Sequence, residues 1–167
     1  MSRKQFGIGA MAAVLVLVAG GCGSSPAASN TGSGSGTAKT PPSPVRTGTA
    51  TVAGKSEVVL TNGAGMTLYY FTKDTATSSA CTGQCASIWP PVLVKTSHVS
   101  APSGLSGTLA VVKDQNGEQV AYDGHLLYTY SADTAAGQAS GQGLKNLWWV
   151  ATPSLKAAGA STGSSGY

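Results

Sequence analysis

The feature that most constrains this chain is that it repeats itself. At an offset of 59 positions, residues 65–89 align without a gap onto residues 124–148. Eight of the 25 pairs are identical: Gly65/Gly124, Leu68/Leu127, Tyr69/Tyr128, Asp74/Asp133, Thr75/Thr134, Ala76/Ala135, Ala80/Ala139 and Trp89/Trp148. Phe71/Tyr130, Thr72/Ser131 and Ile88/Leu147 are near matches. Chance at ordinary composition gives about two identities over such a window. The folded domain is therefore two copies of one supersecondary unit.

Each unit reads as strand, turn, strand. In the first copy Val58-Val59-Leu60 leads through Asn62-Gly63-Ala64-Gly65 to Thr67-Leu68-Tyr69-Tyr70-Phe71. In the second, Gln119-Val120-Ala121-Tyr122 and the run from His125 to Tyr130 flank Asp123-Gly124, a strong short hairpin signal. Leu109 to Val112, closed by Asp114-Gln115-Asn116-Gly117, adds a strand before it. After each Asp comes a stretch rich in Ala, Ser, Thr and Gly, in which residues 75–86 have room for one helical turn. Trp89-Pro90-Pro91-Val92-Leu93-Val94 and Leu147-Trp148-Trp149-Val150 are expected to return to the sheet. The fold class expected is mainly β, two tandem hairpin or meander repeats packed into one small antiparallel domain.

Composition places that domain between two tails. A length of 167 residues suits about one domain, and 41% hydrophobic residues suffice for one modest core. Charged residues are only 10%, against the roughly 25% of soluble domains, which excludes a charge-rich bundle or a coiled coil. The net charge of +4 comes from the N-terminal side, where Arg3, Lys4, Lys39 and Arg46 lie. Residues 47–156 hold six basic and six acidic side chains and no basic stripe with interleaved aromatics, so nucleic acid is not an expected partner.

The N-terminus reads as an export signal. Arg3 and Lys4 precede residues 6–20, an unbroken apolar or glycine run too short for a membrane span, which needs about 20 residues. The run ends in Val18-Ala19-Gly20-Gly21-Cys22, which resembles the lipobox of bacterial lipoprotein precursors, with Ala19 where Leu is commonest. That resemblance implies a signal peptide over 1–21, a diacylated Cys22 and partnership with the cell membrane, two acyl chains being what stable anchoring requires. Residues 22–46, almost all Gly, Ser, Ala, Thr, Asn and Pro, are expected to be a disordered tether spanning about 25–30 Å. The two-repeat domain is expected over 47–156, with repeats at about 55–94 and 108–153, and residues 157–167 form a second flexible tail.

Three cysteines are an odd number for an exported chain. With Cys22 lipidated, Cys81 and Cys85 remain as a close pair, expected to be oxidised outside the cytoplasm. A redox-active or metal-ligating pair is the alternative, though the spacing is neither CxxC nor CxxCH.

Tyr69-Tyr70-Phe71-Thr72-Lys73-Asp74 and Tyr128-Thr129-Tyr130-Ser131-Ala132-Asp133 resemble the Tyr-x-aromatic-x-x-Asp motif of a bacterial family. Cys81, Cys85 and Trp89-Pro90-Pro91 in the first copy fit it, as do Asp123-Gly124-His125-Leu126-Leu127-Tyr128 and Gly141-Gln142-Gly143 through Trp148-Trp149-Val150 in the second. The family comprises predicted lipoproteins with a secreted repeat of unknown function. The resemblance covers nearly all of residues 55–153 and implies a lipid-anchored envelope protein of two repeats, without any activity or ligand.

Alternation puts Tyr69 and Phe71 on one face of their strand, with Leu68 and Tyr70 on the other; Tyr128 and Tyr130 oppose Leu127 and Thr129. Asp74 and Asp133 fall just past the strand ends, where a carboxylate accepts backbone N–H groups of the following loop. Trp89 and Trp148 are expected to cover the aromatic faces. The alternative is that the Asp and Tyr groups converge in a polar pocket between the repeats. No catalytic constellation, cofactor motif or metal-ligand spacing is recognisable. His98 lies in a Ser/Thr-rich loop, His125 follows a hairpin turn, and Met66 is the one methionine beyond the leader. A small-ligand site lined by Tyr70, Tyr122, Trp148 and Trp149 is a further expectation. The function expected is a non-enzymatic module of the cell envelope binding a protein, glycan or small ligand. The alternative is a redox- or metal-linked accessory using Cys81, Cys85 and His125.

Overall fold

Two β-branched runs joined by Ala53-Gly54 make the first hairpin, β1 (Val45–Val52) antiparallel to β2 (Lys55–Asn62). Ala53 (φ 48°) and Gly54 (φ 81°) are both left-handed, as a two-residue hairpin turn requires. A computed structural model describes residues 42–159. The leader, Cys22, residues 23–41 of the expected tether and residues 160–167 lie outside the described part. Strand β1 starts two residues inside the stretch assigned to the tether. Its exposed positions carry Arg46, Thr47, Thr49 and Thr51, which look like tether, while Val45, Ala50 and Val52 are buried. The C-terminal boundary also shifts, since the Ala158 N–H donates to the Asp123 carbonyl (2.8 Å).

The second copy repeats the plan. Strand β4 (Leu109–Asp114) pairs antiparallel with β5 (Gly117–Tyr122), which pairs with the short β6 (His125–Leu126). Asp123 (φ 47°) and Gly124 (φ 81°) form the expected turn. Its counterpart in the first copy is not Asn62-Gly63. There the left-handed residue is Gly65 (φ 81°), and the Asn62 side chain holds the longer loop by accepting the Ala64 and Met66 N–H groups (both 3.0 Å).

At the centre the two copies interweave. The backbones of Tyr69 and Tyr128 exchange both hydrogen bonds (2.8 and 2.9 Å). They are 59 positions apart, the offset of the repeat itself, so this pair marks a pseudo-two-fold axis. The bonds around it come in twins. Thr72 donates to Leu147 (3.0 Å) as Ser131 does to Ile88 (2.9 Å), and Ala151 donates to Leu68 (2.8 Å) as Val92 does to Leu127 (2.9 Å). Strand β3 (Tyr69–Phe71) thus pairs with β7 (Trp148–Val150) of the other copy. The expected return of the Trp segments to the sheet occurs, and each returns to its sibling's strand.

The central strands bury both faces, and alternation divides the core in two. Tyr69, Tyr128, Trp89, Trp148, Val59, Leu126 and Val150 share one cluster, against which Phe71 and Tyr130 pack. Leu68, Leu127, Leu60, Val120, Tyr122 and Ala151 form the other, with Tyr70 against it. The opposition of Tyr69 and Phe71 to Leu68 and Tyr70 is as the alternation predicts. Each such side chain contributes about 1.5–3 kcal/mol on burial, so strands this short hold through their packing. The loop after Asp74 contains one short helix, α1 (Gln84–Ile88).

Candidate functional site

The aromatic residues of the repeat assemble into a single column. Trp89 and Trp148 stack on each other across the pseudo-axis, parallel and with ring centroids 3.8 Å apart. Trp148 stacks on Phe71 of the first copy (4.3 Å), and Trp89 on Tyr130 of the second (4.3 Å). Four rings, Phe71, Trp148, Trp89 and Tyr130, therefore lie in sequence. Tyr69 meets Trp89 edge-on (5.4 Å) and Tyr128 meets Trp148 likewise (5.2 Å). Offset and edge-to-face pairs contribute about 0.5–1.5 kcal/mol each beyond burial. The expectation that the tryptophans cover the aromatic faces is met crosswise, with each Trp covering the ring of the other copy.

The tyrosine hydroxyls cross over as well. Tyr69 donates to Oδ2 of Asp133 (2.5 Å), and Tyr128 donates to Oδ2 of Asp74 (2.7 Å). The other carboxylate oxygen of each Asp ties its own loop: Asp74 Oδ1 accepts the Ala80 N–H (2.7 Å), Asp133 Oδ1 the Ser140 N–H (2.9 Å). The loop-capping role expected for both aspartates is thus present, and the inter-repeat meeting of Tyr and Asp is present too, as two closed pairs. Neither carboxylate lines the groove described below. Burial raises the Asp74 pKa, against the pull of the Ala80 N–H and the Tyr128 hydroxyl. Burial, reinforced by the Asp133 carboxylate, pushes the Tyr69 phenol far above its ordinary value; burial and Asp74 do the same to Tyr128.

The column floors a groove of about 500 Å³ centred on the pseudo-axis. Its walls are residues 59 positions apart, Ile88 facing Leu147 and Cys85 facing Leu144, with Gln84 and Lys145 at the rim. Cys81 and Cys85 are joined in a disulfide across α1's leading loop, Cα atoms 5.2 Å apart. In the second copy the matching wall is the 3₁₀ turn Leu144–Asn146, in which Lys145 (φ 52°) and Asn146 (φ 59°) are left-handed.

Other expected site residues lie elsewhere. His125 is half-buried in β6; its Nε2 lies 3.0 Å from the Lys156 carbonyl and its ring 4.7 Å from that of Tyr70. It lines a separate, polar cavity with Tyr70 and Trp149, away from the disulfide. Among the described residues no group of three or more His, Cys, Asp and Glu side chains gathers. His98 is exposed on its loop. The four-residue ligand site expected from Tyr70, Tyr122, Trp148 and Trp149 is not assembled. Tyr122 is fully buried and donates to the Pro153 carbonyl (2.8 Å), and Trp148 belongs to the column. The cause is strand alternation, which sends Trp148 and Trp149 to opposite faces.

Several residues that hold the site gave little sequence signal. Gln119 is fully buried, donating to the Leu127 carbonyl (3.0 Å) and accepting from Asn116 (3.3 Å). Ser79 Oγ lies 2.8 Å from the Tyr128 hydroxyl and accepts the Cys81 N–H (3.0 Å). The Gly141 N–H donates to the Tyr69 oxygen (3.3 Å), and a Cβ at Gly141 would sit 2.7 Å from Trp89 Cη2 and 2.8 Å from Tyr69 Cε1. Only glycine fits there. The one available clue was the glycine-rich run before Trp148.

No curated protein and no solved structure matches the chain. A family described as a secreted repeat of unknown function matches twice, over residues 50–93 and 110–152, just over half of the sequence. Both matches include a Tyr, an aromatic and an Asp of the crossed network, and with that the chain belongs to this secreted-repeat family.

Proposed function

We propose that this protein is a lipid-anchored extracytoplasmic module that binds a small apolar ligand, without catalysis, in the groove on its pseudo-two-fold axis. The observation that carries the reading is the groove itself. It is about 500 Å³ in volume, within the range of small-molecule sites, and its lining is largely aromatic and aliphatic with a few polar groups at the edge. Binding is favoured over catalysis because Asp74 and Asp133 have both oxygens engaged and no carboxylate among the described residues lines the groove. Anchoring is supported by the lipobox-like run ending at Cys22 and by the low-complexity segment after it. Two measurements test the two halves. Cys22→Ser is expected to move the protein from the membrane fraction to the soluble one, and a variant still in the membrane fraction refutes the anchor. Nile red, a neutral apolar dye, is expected to brighten on the wild-type domain and not on Ile88→Arg, a substitution at a wall residue 47% exposed. Equal brightening of the two proteins refutes the groove.

A further inference from the structure

The groove's own lining narrows what it takes, an inference that rests on the binding reading above. A flat ligand needs an open ring face, and the inner faces here are already used. Trp89 and Trp148 cover each other, and their outer faces are covered by Tyr130 and Phe71. The two tryptophans are only 5% and 4% exposed. At the two tryptophans the floor presents ring edges, and the walls add the aliphatic side chains Ile88, Leu147 and Leu144. Edges and aliphatic walls suit a flexible hydrocarbon chain better than a sugar or an aromatic ring, whose binding relies on stacking.

The rim is not symmetric. Cys85 and Ile88 have their twins Leu144 and Leu147 in the lining, but the rim residues do not: Gln84 answers to Gly143 and Lys145 to Ala86. Among the described residues Lys145 is the one charged side chain lining the groove, and no carboxylate lines it. The backbone there is also unusual. Ala86 lies within the regular helix α1, whereas Lys145 and Asn146 are non-glycine residues held left-handed, a conformation costing on the order of 1 kcal/mol or more per residue. A single cation at one end of an apolar trough complements a single negative charge; a phosphate monoester head would bring a second charge that no second cation among the described lining residues meets.

We propose that the groove binds a single-chain carboxylate of the fatty-acid class, its chain along the ring edges and its head at Lys145. The test is displacement of Nile red from the full mature protein by three probes with a ten-carbon chain and one flat one. Decanoate is expected to displace the dye at a concentration at least about tenfold below decyltrimethylammonium and decanol, a charged contact being the difference. Lys145→Asn, which keeps a residue tolerant of the left-handed backbone, is expected to bring decanoate to the level of decanol. Equal displacement by the cation and the carboxylate on wild type overturns the assignment of the head, with the groove reading intact. Displacement by 2-naphthoate as effective as by decanoate overturns the chain. Dye binding that Ile88→Arg leaves unchanged removes the groove reading, and this proposal with it.

Discussion

The two copies share a frame and differ in how each closes its wall. In the first, a disulfide between Cys81 and Cys85 secures the loop leading into a short regular helix. In the second, Ser140 and Leu144 stand at those positions, and the wall is a 3₁₀ turn with two left-handed residues beside the close-packed Gly141. Of the residues identical in both, the Tyr, Asp and Trp pairs lie in contacts that cross the pseudo-axis. These shared residues hold the copies to each other, with Trp89 and Trp148 also flooring the groove, while the walls and rim are where the copies differ.

Separating the copies breaks the comparison most severely. Because each Trp segment pairs with the other copy's strand, residues 42–100 and 101–159 made as separate chains are each expected to lack a cooperative thermal transition and to regain one when mixed. A cooperative transition in either half alone contradicts the interweaving. Next in size come the tryptophans. Trp89→Ala and Trp148→Ala each open the same stack, so both are expected to cost roughly 3–5 kcal/mol in denaturant unfolding, with the two values close together. A large inequality would show that the pseudo-symmetry is not energetic.

The crossed hydroxyls sharpen the comparison. Tyr69→Phe and Tyr128→Phe each remove a donor from a carboxylate, at an expected cost of about 1.5–3 kcal/mol. Tyr69→Phe should be the worse, because Asp133 is 5% exposed whereas Asp74 is half-buried and open to water. The sign of the pH effect follows from the raised phenol pKa values. Below about pH 10 both states keep the phenolic proton; above it the unfolded chain releases protons that the folded domain retains, so stability falls as pH rises. Wild type is expected to lose stability above that pH more steeply than either Phe variant, and parallel curves would contradict the assignment. The disulfide is the smallest effect. Its ring is short, so Cys81→Ser with Cys85→Ser should cost about 2 kcal/mol and leave a cooperative transition. Loss of that transition would mean that the first copy depends on its cross-link for more than one loop.

The repeat, the β class, the Asp123-Gly124 turn, the pairing of the two cysteines and the loop-capping aspartates were all legible in the sequence. Each is a local matter of turn chemistry, side-chain alternation or spacing. Strand β1 was harder to read because its exposed threonines share the composition of the segment before it. The crossing of the copies lay beyond any local signal. Both copies carry the same Tyr, Asp and Trp, so by local chemistry Tyr69 bonds Asp74 as well as it bonds Asp133, and Trp89 has equal reason to cover either strand. Only the three-dimensional path of the chain, returning each Trp segment beside the other copy's strand, chooses between equivalent partners. From that choice come the tryptophan stack on the axis and the groove above it.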